Sequence, residues 1–276
     1  MSELHSSPEP LTKRWVSSAC RLSTQAGWNQ TEEDWSRLSR LAGASVKVFV
    51  SDGEVRASYS VVGYESRIGW IGMVLVDEAY RGKGLGKTVF TNALREATGF
   101  GAVGLDATDL GEPIYLRHGF EAVHPIVRWL GNSHGGHRSG IRTGLHEGIL
   151  TLDAEVTGID RKNLLCDFSM SGADFFSLVE SGSTLAYGVL RAGRTACHLG
   201  PVVARSAEGF QRILDCASGK NLDTPILCDV LNANAESILA AQGWRSMRAL
   251  KRMIKPPLAA CLCADEIWCA AGFELG

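Results

Sequence analysis

The chain lacks the marks of several protein classes. Its 276 residues carry a formal net charge of −2, so there is no basic excess of the kind that nucleic-acid binding requires. It contains no apolar run of about 18 residues, the length that a membrane-spanning helix needs. Residues 1–15 include two prolines and acidic side chains where a secretory signal would be apolar. We therefore expect a cytoplasmic protein whose partner is neither nucleic acid nor a membrane.

Paired cysteine spacing is also missing. The eight cysteines are irregularly spaced, and the cluster of Cys261, Cys263 and Cys269 has neither a C-x-x-C pair nor a following histidine. Residues 131–140 are rich in glycine, serine and histidine, a composition typical of an exposed linker. We therefore expect no metal site, His134 and His137 of this linker included, and two domains at 1–133 and 141–276.

Hydrophobic periodicity predicts a mixed order of elements. Thr31 is a suitable N-cap for a helix that begins with acidic residues, and Asp52-Gly53 suits a tight hairpin turn. Strands come first and are followed by alternating helix and strand, which indicates an α/β (α+β) sheet with a crossover. The predicted segments are helices over 32–41, 85–97 and 113–117, and strands over 45–51, 55–63, 67–76, 102–105 and 122–129.

The second half repeats the end of this plan. Residues 226–253 can be laid on residues 103–130, so that Asp229 matches Asp106 and both copies end in a Gly-aromatic pair and a strand. Arg128 follows Gly119 by nine positions, and Arg252 follows Gly243 by nine. The repeat favours two related domains.

A glycine-rich loop joins a strand to a helix at residues 81–86. Such a loop presents backbone N–H groups and the positive end of a helix to an anion, usually a phosphate. The P-loop pattern would need glycine where Arg81 stands, and the dinucleotide fingerprint would need it where Lys87 stands. The pattern that fits is V-x-x-x-x-R-G-x-G-x-G, beginning at Val76.

This pattern resembles the acyl-CoA pyrophosphate motif of the GNAT superfamily of N-acyltransferases. Tyr115, four residues before Gly119-Phe120, resembles a second motif of that superfamily, and the likeness covers about residues 15–130. The segment 27–35 and the LGPVVA and GIDR runs resemble a bacterial two-domain group. The resemblance implies a mixed, mostly antiparallel GNAT sheet flanked by helices, followed by a degenerate GNAT-like domain.

The resemblance also implies a binding mode for acetyl-CoA as co-substrate. A bulge would separate the strand before the loop from the strand at 102–105, and the pantetheine arm would lie in the gap. A strand N–H near Leu75 or Val76 would polarise the thioester carbonyl. The implied cofactor-binding residues are Val74, Leu75, Val76, Arg81, Gly82, Lys83, Gly84, Leu85, Gly86 and Lys87.

Catalytic and substrate residues are less fixed by the sequence. Tyr115 is the candidate general acid toward the CoA sulfur, with plain packing as the alternative. Asp106 is the candidate base or a cap for its loop, with Glu78 and a water relay also open. Trp28 and Asn29 are candidates for the acceptor pocket, whereas Trp35 suits the core better.

The second half lacks the features that the resemblance requires. Only Gly209 is found in the loop after 199–204, and Leu239 stands where Tyr115 stands in the first half. We therefore expect no second acyl-CoA site, and a second domain that shapes the acceptor pocket. The predicted activity is N-acyl transfer to a primary amine of a small molecule. The alternatives are a non-catalytic acyl-CoA sensor or scaffold, and a peptide or protein N-acetyltransferase; the sequence leaves an oligomer open.

Overall fold

The computed structural model describes residues 7–133, 140–220, 222–255 and 264–276. His134 and His137, as well as Cys261 and Cys263, lie outside the described residues. The helices are α1 (Val16–Gln25), α2 (Glu32–Arg40), α3 (Leu85–Ala97), α4 (Glu112–Arg117), α5 (Glu147–Thr157), α6 (Lys162–Met170), α7 (Ala207–Ser218) and α8 (Ala233–Ala241). None of these helices is both long enough and apolar enough to cross a membrane.

The strands of both halves join in one 13-stranded sheet. Their order is β1-β2-β3-β4-β5-β12-β6-β11-β13-β10-β9-β8-β7. Most neighbours are antiparallel, which confirms the predicted mixed, mostly antiparallel sheet. The strands are β1 (Glu9–Pro10), β2 (Ala44–Ser51), β3 (Glu54–Tyr64), β4 (Ile68–Val76), β5 (Ala102–Ala107), β6 (Glu121–Gly131), β7 (Ile141–Thr143), β8 (Asp174–Glu180), β9 (Ser183–Arg191), β10 (Cys197–Ala204), β11 (Ile226–Val230), β12 (Arg245–Lys255) and β13 (Ile267–Cys269).

Local sequence signals account for the element boundaries of the first half. The Thr31 hydroxyl accepts a hydrogen bond from the Asp34 amide at 3.3 Å, and the Asp34 carboxylate accepts one from the Thr31 amide at 2.8 Å. This capping box starts α2 where the sequence predicts it. Asp52 and Gly53 both have positive φ, as a two-residue hairpin turn between β2 and β3 requires.

Helices cover both faces of the sheet. One hydrophobic core joins α1 and α2 of the first half to α5 and α6 of the second, and Trp35 is fully buried within it. The predicted core position of Trp35 is thus confirmed. A second core lies under α3 on the opposite face, and a third lies under α7. Because one core includes helices from both halves, the halves are not independent packing units.

The two halves exchange a strand. β6, which ends the first half, pairs with β11 and β12 of the second half, and β12 pairs with β5 of the first half. The cores follow this exchange: Trp129 of β6 packs in the core under α7, and Met253 of β12 packs in the core under α3. Each half therefore contributes one strand that completes the sheet of the other half.

Two reciprocal ion pairs lie at the exchanged strands. Arg252 of β12 donates to both carboxylate oxygens of Asp106 on β5, at 3.0 and 3.1 Å. Arg128 of β6 donates to both oxygens of Asp229 on β11, at 2.7 Å each. The repeat in the sequence thus aligns two Asp–Arg sets, but each arginine pairs with the aspartate of the other copy.

The boundary predicted at 133/141 therefore separates chain segments rather than folded units. Neighbouring elements in sequence are usually neighbours in space, so the sequence places β6 at the edge of the first domain. The structure places it instead between two strands of the second half. Since β6 and β12 have matching patterns, hydrophobic periodicity cannot distinguish the exchanged arrangement from two closed domains.

We expect Arg252→Met to destabilise the fold strongly. The change would leave Asp106, whose side chain is fully buried, without its cationic partner. Breaking a buried pair in this way costs about 3–5 kcal/mol. Urea denaturation followed by tryptophan fluorescence would measure the loss.

Arg205→Met is the matched control. Arg205 also pairs with carboxylates, those of Glu155 and Glu266, but its side chain is 41% exposed. Exposed pairs contribute at most about 1 kcal/mol. Equal losses for Arg252→Met and Arg205→Met would contradict the role given to the exchanged pairs.

Candidate functional site

A gap opens in the sheet between β4 and β5. The two strands pair in parallel only where Ile68–Trp70 face Ala102–Gly104. Beyond Trp70, β4 keeps its pairing with β3 alone, whereas β5 continues beside β12. The structure therefore contains the divergence of strands that the resemblance implies.

A bulge in β4 lies beside this gap. The pairing register between β3 and β4 shifts between Ser60, opposite Gly72, and Ser58, opposite Leu75. Within the bulge Met73 has a φ of 49°, and its carbonyl oxygen accepts a hydrogen bond from the Ser58 hydroxyl at 2.8 Å. An extra residue in one strand bends that strand and re-aims its peptide groups. The segment after the bulge, residues 74–76, lies along the gap.

The glycine-rich loop follows β4 directly and forms the N-terminus of α3. Gly82 and Gly84 have φ values of +75° and +81°, a region that side chains with a Cβ rarely adopt. Gly84 is the N-cap, and no side chain caps the helix. The first amide of α3 that bonds back is that of Thr88, to the Gly84 carbonyl at 3.2 Å. The preceding amides are thus left for an external acceptor.

Basic side chains surround these amides. Arg81 is 52% exposed and donates to the Val76 carbonyl at 3.1 Å, so it fixes the loop against the end of β4. Lys83 donates to the Ala79 carbonyl at 3.1 Å, and Lys87 is exposed in the first turn of α3. Unpaired amides, a helix N-terminus and three cations together favour a polyanion such as a diphosphate.

Tyr115 lies in the cleft that continues from the gap. This cleft of about 110 Å³ is lined by Met73 and Val74 of β4 and by Tyr115 of α4, among others. The Tyr115 ring packs on Phe90 with the ring centroids 4.7 Å apart. Burial raises the pKa of Tyr115, so the phenol keeps its proton at neutral pH. A protonated hydroxyl beside the bulged strand can act as a proton donor.

Asp106 has a different environment from the one a base needs. It borders the same cleft, but both of its carboxylate oxygens are engaged by Arg252 and its side chain is fully buried. Burial raises its pKa, while Arg252 acts in the opposite direction. Neither of the roles predicted for Asp106 agrees with these contacts, because the carboxylate holds the exchanged strand β12 instead of an amine or its own loop.

The two residues predicted for the acceptor pocket separate. Trp28 lines the cleft together with Tyr115. The Asn29 amide, by contrast, donates to the Ala196 carbonyl at 2.9 Å and accepts from the Thr195 and Ala196 amides at 2.9 and 3.1 Å. These contacts argue against the substrate role predicted for Asn29, because its side chain is committed to the junction between the halves.

The second half forms much of the cleft wall. Arg248 and Leu250 come from the exchanged strand β12, and Phe273 and Glu274 come from the chain after β13. The Arg248 guanidinium lies 5.2 Å from the Phe273 ring centroid. Sequence reasoning missed all four residues, since they lie more than 120 positions from the glycine loop. The only signal was the repeat that aligns β12 with β6.

The equivalent gap in the second half is filled. β10 and β11 pair in parallel only where Cys197 and His198 face Ile226 and Leu227, as β4 and β5 do in the first half. Beyond that point β13 lies between them and pairs with both strands. The Trp268 indole also donates to the Ala204 carbonyl at 2.9 Å.

The N-terminus of α7 differs from that of α3 in the same way. The Ser206 hydroxyl caps α7 by accepting from the Gly209 amide at 3.2 Å, which replaces an open row of amides by an internal cap. Leu239, in the position of Tyr115, is fully buried. The second half therefore has neither an open slot nor a phenolic proton donor at the matching places.

Comparisons with known proteins agree with this geometry. Two family models match, both described as GNAT acetyltransferase: one over residues 12–120 and the other over residues 149–260. The Uncharacterized N-acetyltransferase YitH of Bacillus subtilis (strain 168) is 24% identical over 220 residues, which cover 76% of this chain and 77% of that protein.

Solved structures share the fold along nearly the whole chain. A Pyrococcus horikoshii protein described as a candidate acetyltransferase has a TM-score of 0.81 at 17% identity, covering 98% of this chain and 95% of its own. A tandem GNAT protein from the clavulanic acid biosynthesis pathway has a TM-score of 0.65 at 13% identity, covering 92% and 99%. The chain therefore belongs to the GNAT acetyltransferase family and carries two GNAT domains in tandem.

Proposed function

We propose that the protein transfers an acetyl group from acetyl-CoA to a primary amine of a small molecule by direct attack. The observation that carries the proposal is the gap beside the bulged strand β4, which leads from the open amides of residues 82–87 to Tyr115. GNAT proteins use acetyl-CoA in general. Here the loop would bind its diphosphate, and residues 74–76 would pair with its pantetheine arm.

The residues of the cleft divide the chemistry among them. Acetyl-CoA supplies a thioester, whose acyl carbon accepts the amine nitrogen. A strand amide near Leu75 or Val76 would stabilise the negative charge on the carbonyl oxygen as the bond forms. The Tyr115 hydroxyl would give its proton to the departing sulfur, which the raised pKa of the phenol permits at neutral pH.

The shape of the cleft supports a small acceptor rather than a peptide. Its volume is about 110 Å³, and Trp28, Arg248 and Phe273 lie around it. The second half closes one side of this space through β12 and the chain after β13. A peptide substrate would need a groove that is open at both ends, which is why we favour a small amine.

Titration calorimetry and thiol release separate the proposal from a non-catalytic sensor. We expect one acetyl-CoA to bind per chain, because the gap in the second half is filled by β13. We also expect free thiol to appear when a panel of primary amines, such as propylamine, tyramine and spermidine, is added with acetyl-CoA. Binding without thiol release from any amine or lysine peptide would favour the sensor.

Gly84→Val should weaken acetyl-CoA binding. Valine at a φ of +81° costs about 1–3 kcal/mol and would distort the N-cap whose neighbouring amides bind phosphate. We expect the dissociation constant to rise at least about tenfold. Calorimetry with acetyl-CoA measures it.

Gly99→Val serves as the control for Gly84→Val at the other end of α3. A Cβ on Gly99 meets no atom within 4 Å, and its φ is not positive. Its acetyl-CoA affinity should match that of the wild type. The same affinity in both variants would remove the loop from the binding site.

Tyr115→Phe should lower turnover while leaving acetyl-CoA affinity within about twofold. The ring contacts with Phe90 and Phe120 are kept, and only the proton donor is lost. Removing a general acid costs about 10²–10⁴ in rate. The thiol-release rate at neutral pH is the measurement.

Tyr59→Phe is the paired control for Tyr115→Phe. The Tyr59 hydroxyl donates to Glu96 at 2.9 Å, outside the cleft. Its removal should leave turnover unchanged. An unaltered rate in Tyr115→Phe as well would take the phenol out of the mechanism.

A further inference from the structure

Glu274 is held against the bulged strand by its neighbours in the chain. The Trp70 indole donates to the Phe273 carbonyl at 2.9 Å, and the Tyr64 hydroxyl donates to the Leu275 carbonyl at 2.5 Å. A Cβ on Gly72 would lie 2.7 Å from the Glu274 Cα, so the absence of a side chain there lets the segment touch β4. Gly72 directly precedes Met73, the residue of positive φ in the bulge. Glu274 therefore lies beside the part of β4 that would meet the thioester.

Glu274 is the one acidic group on the cleft wall that no arginine engages closely. Four titratable side chains line the cleft: Asp106, Tyr115, Arg248 and Glu274. Asp106 is held by Arg252 through two hydrogen bonds, and Arg248 is a cation. Glu78, the other acidic candidate from the sequence, is 61% exposed, pairs with Arg81 and does not line the cleft.

The surroundings of Glu274 leave its carboxylate with few compensating contacts. Its Oε2 accepts a hydrogen bond from the neutral Gln30 amide at 2.9 Å, and its Oε1 lies 4.0 Å from Nη2 of Arg191 on β9. Arg191 is in turn 3.8 Å from Asp34 on α2. Burial raises the pKa of Glu274, against the lowering effects of Arg191 and Gln30, and the Asp34 charge raises it further. A carboxylate of raised pKa is a better proton acceptor near neutral pH than one at the surface.

We propose that Glu274 is the catalytic base that removes the proton from the attacking amine, an assignment that rests on the proposed acetyl transfer. An ammonium ion enters the cleft and gives one proton to the Glu274 carboxylate. The free amine nitrogen forms a bond to the acyl carbon, and the carbon–sulfur bond breaks. The sulfur takes the Tyr115 proton, the new amide loses its second N–H proton to water, and solvent restores both side chains.

The proposal also names the substrate class. The carboxylate would attract an amine that arrives as a cation, and the apolar surfaces of Trp28 and Phe273 suit a short aliphatic or aromatic stem. Arg248 on the same wall would disfavour a second positive charge close to the reacting one. We therefore expect monoamines such as propylamine and tyramine to be better acceptors than a polyamine.

Glu274→Gln tests the assignment, with Glu266→Gln as the matched control. Glutamine keeps the size of the side chain and an oxygen for the Gln30 amide. We expect turnover on the best amine of the panel to fall about 100-fold or more, with acetyl-CoA affinity within about twofold. Glu266 lies on the same terminal segment but is 40% exposed and pairs with Arg205, so its replacement should leave turnover unchanged.

The pH profile distinguishes a base from a structural residue. Because the base must be ionised, the wild-type kcat/KM should rise with pH through an acid limb above the value of about 4.3 for free glutamate. Glu274→Gln should lose that limb, and Glu274→Asp should restore it in part. A wild-type rate and limb in Glu274→Gln would overturn the proposal.

A titration of the carboxyl group decides the matter if no amine of the panel turns over. With glutamate labelled at the side-chain carbonyl carbon, the NMR signal absent from Glu274→Gln should titrate above the free-glutamate value and shift when propylamine is added with acetyl-CoA. A signal that titrates at the free value and ignores propylamine would overturn the proposal. If the wild type binds no acetyl-CoA by calorimetry, the proposed function itself fails.

Discussion

The exchange of β6 and β12 is the constraint on which the rest of the structure depends. β12 takes the place beside β5 that β6 would fill in a closed first domain, and Arg252 fixes it there through the buried Asp106 carboxylate. β5 is thereby bound on one side to the second half, while β4 leaves it after Trp70. The same strand brings Arg248 and Leu250 to the cleft. The second half thus supports the gap and also forms one of its walls.

The two halves use one architecture in opposite ways. In the first half the gap between the parallel strands is open, and the helix that follows has an uncapped N-terminus. In the second half β13 fills the gap, and Ser206 caps the helix. The chain that leaves β13 then returns to the first half, where Phe273 and Glu274 reach the cleft. The filled gap therefore anchors the segment that completes the acceptor side of the open one.

Local features could be predicted from the sequence, whereas long-range ones could not. The glycine loop, the bounds of α3 and the Thr31 cap follow from residue patterns that act within a few positions. The exchange escaped prediction because β6 and β12 have equivalent patterns. The roles of Asp106 and Asn29 were misjudged for the same reason, since their partners, Arg252 and residues 195–196, come from the other half. Glu274 gave no signal, because a single glutamate after a short strand carries no motif.

The central claim is that bare amides at the start of α3 hold the diphosphate of CoA, while the second half holds none. An amide titration by ¹⁵N NMR tests this most directly, because it observes each backbone N–H separately. The account predicts that CoA shifts the amide signals of Gly82, Gly84 and Gly86, and leaves the signal of Gly209 at the capped start of α7 in place. If CoA saturates the protein without moving the three loop glycines, the account is wrong.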